Sequence, residues 1–269
     1  MVYKDKRIIE IINFEKAKQV GSVYCDKNLE IKAFHEDKFE FIGLKEKLKK
    51  FPKFYRFLIV MISHSYCFTK IRNKLIKTYL DAEGVVVNIA SGNYRINQKI
   101  INIDLFAYPN VDIVSDATNL CIKNDSVDFI INETSLEHIY NYKAAVTETF
   151  RVLKKDGVAY FVVPFIYEFH ASPNDFHRFT KEGLKRLFKE AGFRIKEIGI
   201  LSGPASSFEG ILIEFFSILF SFGFQRLYKF WVMFFMILLF PIKFLDFFLN
   251  RIPFASNIAA NFYIVVEKI

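Results

Sequence analysis

Residues 85–138 constrain this chain more than any other stretch. Three short apolar runs, Val85–Ala90, Ile100–Asp104 and Val127–Asn132, fall within it. Each is rich in Val and Ile, and none alternates polar with apolar. Such runs read as strands buried on both faces, as in a parallel sheet covered by helices. The polar residues gather at the C-terminal ends of the runs, where open α/β sheets bind ligands. The first run opens into Ala90-Ser91-Gly92-Asn93, a tight turn that lets a ligand approach the backbone. The second ends at Asp104, a carboxylate placed to accept from a ribose diol. Asp116-Ala117-Thr118 follows, and the third run ends at Asn132-Glu133.

These residues carry a family resemblance. The turn Asn88-Ile-Ala-Ser-Gly-Asn93 resembles the acidic-x-Gly-x-Gly-x-Gly loop of class I S-adenosylmethionine (SAM)-dependent methyltransferases of type 11. Asp104 matches the acidic residue after the second strand, and Asp116-Ala117 the pair beside the adenine. Glu133-Thr-Ser-Leu-Glu-His138 resembles the motif after strand four. Arg151-Val-Leu-Lys-Lys-Asp-Gly157 resembles the turn before strand five. The resemblance covers roughly residues 84–200 and the last ten residues. It implies a Rossmann-like, seven-stranded α/β sheet, mostly parallel with the last strand antiparallel, and helices on both faces. It also implies SAM as cofactor, held by Asn88, Ala90, Ser91, Gly92, Asp104, Leu105, Asp116, Ala117, Asn132 and Glu133. Three positions depart from the pattern: Asn88 replaces the first acidic residue, and Ala90 and Tyr94 replace two loop glycines. Only nine residues, 91–99, separate the first two strands. A parallel crossover usually takes a dozen or more, so the first helix is expected to be a stub.

Four regions are expected: an accessory β-hairpin over 1–43, basic amphipathic helices over 44–80, a core of 81–200 plus 261–269, and a hydrophobic helical insert over 201–260. Arg7–Asn13, Ser22–Cys25, Leu29–Phe34 and Lys38–Ile42 read as short strands, and His35 as part of a solvated turn. In 44–80, Ile71, Leu75, Ile76 and Tyr79 form a helical stripe among many lysines. Those helices suit either ordinary packing or anionic lipid. Within the core, helices are expected over Tyr142–Leu153 and from Lys181 to Ala191, the second capped by Thr180. Strands are expected over Val158–Pro164, Phe193–Ile200 and Asn261–Lys268.

The insert explains an unusual composition, 17% aromatic with 33 Phe. Gly210–Phe224 carries one charge and Phe230–Ile242 none. A spanning helix needs about twenty apolar residues. Arg226 and Lys229 separate the two runs, and Pro241 and Lys243 follow the second. Flanked by strands of one sheet, the insert must return to where it began. An interfacial or re-entrant helical hairpin meets both conditions, with a cap on the core as the alternative. The net charge of +8 fits attraction to an anionic surface. Cys25, Cys67 and Cys121 have no paired spacing and fit a reducing compartment. The charged N-terminus lacks a signal-peptide apolar region. The expected location is the cytoplasm, at the inner face of the membrane.

The expected function is methyl transfer to a small hydrophobic, glycan- or lipid-linked acceptor. Positioning supplies much of the acceleration in such a displacement, and a hydroxyl acceptor also needs a base. His138, His170, Asp175 and Arg178 are the candidates, the last three in the loop after strand five. No metal is expected, because His170 and His177 lack an accompanying Cys or His cluster. Two other readings compete. A nicotinamide-dependent dehydrogenase or epimerase requires Gly-x-Gly-x-x-Gly opening a full helix, which is absent here. A non-catalytic, methyltransferase-like membrane module is separated from an enzyme by SAM binding. Nucleic acid is not an expected partner, since Asn132-Glu-Thr-Ser135 lacks the Asn/Asp-Pro-Pro-aromatic pattern of methyltransferases acting on bases. The sequence leaves the oligomeric state open.

Overall fold

The computed structural model describes residues 6–19, 69–171 and 174–269. Among the described residues, seven strands form one sheet in the order β3-β2-β1-β4-β5-β7-β6. They are β1 (Val86–Ile89), β2 (Ile101–Asp104), β3 (Ile113–Val114), β4 (Val127–Glu133), β5 (Leu153–Pro164), β6 (Phe193–Ser202) and β7 (Asn261–Lys268). The pairs from β3 through β5 are parallel, and β7 runs antiparallel to both β5 and β6. All four residues of β1 and all four of β2 are buried, as their unbroken apolar runs predict.

Alternate strand residues feed two cores. Val87, Ile89, Ile103, Ile130, Phe161 and Ile264 face one side. There they pack with α4 (Tyr142–Val152) and α5 (Lys181–Glu190). Val86, Phe129, Ile131, Tyr160 and Val265 face the other side, under α3 (Lys70–Asp81). Thr180 caps α5 by accepting from the Gly183 amide at 3.1 Å. Burying the whole sheet in this way gives the core its stability, at roughly 25 cal/mol per Å² of apolar surface removed from water.

Several expectations change. The stretch Arg7–Asn13 is helical rather than a strand. Lys6–Ile11 forms α1 and Phe14–Gln19 forms α2. Ile8, Ile11 and Ile12 stand at helical spacing and are buried in the first core, so the period of 3.6 overrides the weak alternation. Only Ile12 makes a strand-like bridge, to Ile122. Helix α3 belongs to the core. Its stripe of Ile71, Leu75, Ile76 and Tyr79 lies on the sheet, with the Tyr79 ring stacked on Phe129 at 4.9 Å. That apolar face is therefore not available to lipid. Helix α4 stops at Val152, and β5 begins at Leu153 rather than 158, with Asp156 at φ 61° in the turn before Gly157. The expectations for residues 20–68, His35 included, lie outside the described residues.

The β1–β2 crossover contains no helix at all, not even a stub. Polar side chains stitch it instead. The Arg95 guanidinium donates to the Ile100 and Asn110 carbonyls and pairs with Asp112 at 2.7 Å. Asn102, fully buried, donates to the Tyr94 and Asn110 carbonyls. These bonds satisfy backbone groups that a helix would otherwise satisfy internally.

The insert is a helical hairpin. Helix α6 (Pro204–Ser221) turns through Phe222 and Gly223, both at positive φ, into α7 (Gln225–Leu239). Ile213, Val232 and Phe235 form a small core between them with Trp231 and Phe216. The α-helix stops at Leu239, just before Pro241. A 3-10 turn, Phe240–Leu245, carries the chain into α8 (Asp246–Leu249). Pro204–Ser221 (mean hydropathy 1.2, 44% buried) and Gln225–Leu249 (2.2, 22% buried) are each long and apolar enough to cross a membrane, judged by length and composition alone.

Candidate active site

The strand order reverses between β1 and β4, one leading to β2 and the other to β5. Ligands bind outside the carboxyl ends of strands at such a switch point. A cleft of about 660 Å³ lies there. Of the sequence-predicted residues, Ala90, Gly92, Asp104, Leu105, Asp116 and Ala117 line one end of it, and His138 and His170 the other.

The backbone around the cleft is shaped for close approach. Ala90 and Gly92 both sit near φ 55°, so Ala90 adopts the left-handed conformation of the glycine it replaces. That conformation costs a non-glycine residue roughly 1–2 kcal/mol. A Cβ built on Gly92 meets nothing within 4 Å, leaving the turn bare toward the cleft. Each oxygen of Asp104 accepts one backbone amide, from Gly92 at 2.8 Å and from Phe106 at 2.9 Å. A carboxylate accepts at about four sites, and these two amides fix the Asp104 carboxylate at the cleft. Asp116 accepts from the Thr118 amide at 2.8 Å. These residues fit SAM: a bare turn at Gly92 for the methionyl part, a fixed carboxylate at Asp104 for the ribose and a small residue at Ala117 beside the adenine.

Four predicted cofactor residues turn elsewhere. Asn88 is buried and donates to Asn102 within the sheet. Ser91 donates to the Gly92 carbonyl. Asn132 donates to the Ile89 carbonyl and accepts from Ser135 at 2.7 Å. Glu133 pairs with Arg72 of α3 at 2.7 Å. Burial pushes the Glu133 carboxyl up, and Arg72 pulls it partly back. These polar groups at strand ends satisfy neighbouring elements, which their sequence positions alone do not disclose.

At the far end of the cleft, the loop after β5 folds over a 3-10 turn, Leu136–His138. The Phe176 amide donates to the Glu137 carbonyl, and His138 Nδ1 lies 2.5 Å from the Asn174 carbonyl. Asp175 and Arg178 order this loop rather than line the cleft. Their side chains form two bonds, at 2.5 and 2.7 Å. Arg178 also donates to the Glu168 carbonyl, and Asp175 accepts the His170 amide. Burial would raise Asp175, but Arg178 and the His170 amide hold its carboxyl below the usual range. Burial lowers the His170 imidazole, yet Glu137, the Glu168 carbonyl and Asp175 leave it above its ordinary value. His177 reaches the Tyr140 carbonyl instead. Sequence reasoning missed Glu137, Tyr167 and Asn261, which also line the cleft. Glu137 was the most findable, being the residue before His138 in the same motif. Asn261 opens the last strand, and only the antiparallel return of β7 brings it there.

Residues 69–161 match the family described as a methyltransferase domain, type 11. The matched residues, 69–161, form a SAM-dependent methyltransferase domain of this type. No curated protein matches the sequence. Among solved structures, the Burkholderia thailandensis 1,6-didemethyltoxoflavin-N1-methyltransferase is similar at 12% identity and a TM-score of 0.47. The similarity covers 92% of this chain and 98% of that one. The Haemonchus contortus phosphoethanolamine N-methyltransferase 2 is similar at 14% identity and a TM-score of 0.46, over 83% of this chain and 59% of that one. A SAM-dependent methyltransferase from Methanosarcina mazei is similar at 14% identity and 0.44, over 72% and 97%. The helix-free crossover separates this methyltransferase domain from dinucleotide-binding folds. Those seat a pyrophosphate on the N-terminus of the helix after β1, and here residues 90–100 provide none.

Proposed function

We propose that this methyltransferase works at the cytoplasmic face of a membrane and acts on a hydrophobic or lipid-linked acceptor. The observation that carries the reading is the surface of the insert. Phe208, Phe215, Ile218, Phe222, Phe230 and Phe248 are each more than half exposed. Exposed apolar patches on this scale mark interaction sites. Arg226 follows the hairpin tip, and drawing a cation through a bilayer is costly. A hairpin lying in the interface keeps that charge among headgroups, where a well-placed cation gains about 1 kcal/mol.

The insert returns beside the cleft. The Phe165 and Ile166 amides, at the start of the loop over the cleft, donate to the Ala260 and Ala259 carbonyls at its exit. An acceptor held at the bilayer surface therefore meets the His138–His170 end of the cleft. SAM supplies a methyl group on a sulfonium, transferred by in-line displacement to the acceptor. Gly92 lies against the methionyl part and Asp104 on the ribose. Asp116-Ala117 flank the adenine. The loop ordered by Asp175 and Arg178 covers the acceptor and excludes water.

The test is flotation of the full chain with anionic vesicles carrying a total membrane-lipid extract and methyl-labelled SAM. The reading predicts co-flotation and label in the organic phase. A detergent-free soluble monomer that stays at the bottom of the gradient, with label only in water-soluble products, would overturn it.

A further inference from the structure

The geometry points to a divalent metal site formed by Glu137, His138 and His170 at the acceptor end of the cleft. Glu137 is fully buried, and neither carboxylate oxygen accepts a hydrogen bond from any of the described residues. The nearest ring nitrogens are His170 Nε2 at 3.6 Å and His138 Nε2 at 3.9 Å, both from Oε1. These distances exceed a hydrogen bond. A buried charge without close partners is costly, so the arrangement calls for an occupant.

The two histidines define what that occupant is. His138 Nδ1 lies 2.5 Å from the Asn174 carbonyl, and His170 Nδ1 lies 3.1 Å from the Glu168 carbonyl. A carbonyl oxygen only accepts, so each Nδ1 carries the proton. In a neutral imidazole that leaves Nε2 as a lone pair. With both rings in that neutral form, two lone pairs and the Glu137 carboxylate face one another, as the ligands of a metal ion must. The three donor atoms lie within 4.8 Å of one another. Around a common ion with bonds of about 2.1 Å they would stand about 3–3.4 Å apart, a contraction within the reach of side-chain rotation. Fixing a ligand histidine through its other nitrogen is how metal sites set tautomer and ring orientation. Asp175 supports this from behind, accepting the His170 amide at 2.8 Å.

Two imidazoles and one carboxylate suit Mn²⁺, Fe²⁺, Co²⁺ or Zn²⁺ and leave coordination positions open. The open positions face the cleft, which Glu137, His138 and His170 all line. An acceptor hydroxyl bound there would lose its proton to water more readily, since a bound cation lowers the pKa of its oxygen ligand. The substrate class is thus a hydroxyl-bearing acceptor. That last step rests on the methyltransferase reading, whereas the metal site does not.

Full-length protein stripped with chelator is titrated with Mn²⁺, Co²⁺ and Zn²⁺, and SAM binding is measured separately. The site predicts uptake of about one equivalent of at least one of these ions. Glu137→Gln and His170→Ala should weaken uptake by more than the ~10–100-fold typical of losing an outer partner, with SAM affinity little changed. Cu²⁺ loaded into the wild type should give a paramagnetic resonance spectrum split by two imidazole nitrogens, a readout that needs no variant. Wild-type protein that binds SAM but takes up none of these ions would overturn the site. So would Cu²⁺ without nitrogen splitting, or unchanged titrations in both variants. Metal uptake without SAM binding would instead refute the methyltransferase reading and leave the metal site standing.

Discussion

The Arg72–Glu133 pair carries more of the design than either residue suggests in sequence. Arg72 is 7% exposed and joins α3 to the end of β4 at 2.7 Å. Removing one member of a buried pair strands the other charge, which costs about 3–5 kcal/mol. Arg72→Ala should lose that amount in denaturant unfolding, whereas the double replacement Arg72→Met with Glu133→Leu should lose far less. Equal losses would mean that the stranded Glu133 charge is not what costs stability. At this scale the sequence was legible where backbone chemistry decides position. Gly92, Asp104 and Asp116 line the cleft as their strand-end places predict. It was not legible where a side chain has two polar neighbours to choose from. Asn88, Asn132 and Glu133 each satisfy a partner 14 or more residues away, and nothing local reveals it.

Among elements, the hairpin base is the most tightly specified. Asp246 is fully buried and accepts from the Gly203, Ala205 and Ser206 amides at 2.8–3.1 Å and from Ser206 Oγ at 2.6 Å. A residue near the end of the insert thus caps the helix that starts it, placing a carboxylate at the positive end of α6. Gly203 is required at this crossing, since a Cβ there would stand 1.7 Å from Asn250 Oδ1 and 2.7 Å from Asp246 Oδ1. Each hydrogen bond to a charged group contributes about 1.5–3 kcal/mol. Asp246→Ala should therefore open the hairpin to limited proteolysis between 203 and 250 while SAM affinity persists. Unchanged protease resistance would contradict the capping role. The hairpin's existence followed from the sequence because two strands of one sheet flank it. Its cap did not, because Asp246 and Gly203 are brought together only by the fold. The stub helix failed as an expectation for a related reason. Arg95 and Asn102 replace a helix with side-chain bonds, a solution with no periodicity to read.

For the whole molecule, the strand order and the position of the cleft follow from three unbroken apolar runs and their polar ends. The N-terminal segment did not follow, because six-residue stretches fit both periods until a core selects one. Everything functional depends on the cleft holding SAM with Asp104 on the ribose, and calorimetry tests that directly. The wild-type chain should bind SAM and its demethylated product. Asp104→Ala should weaken both by at least about tenfold, equivalent to about 1.4 kcal/mol. No heat from the wild type at millimolar SAM, or an Asp104→Ala affinity equal to wild type, would contradict the account.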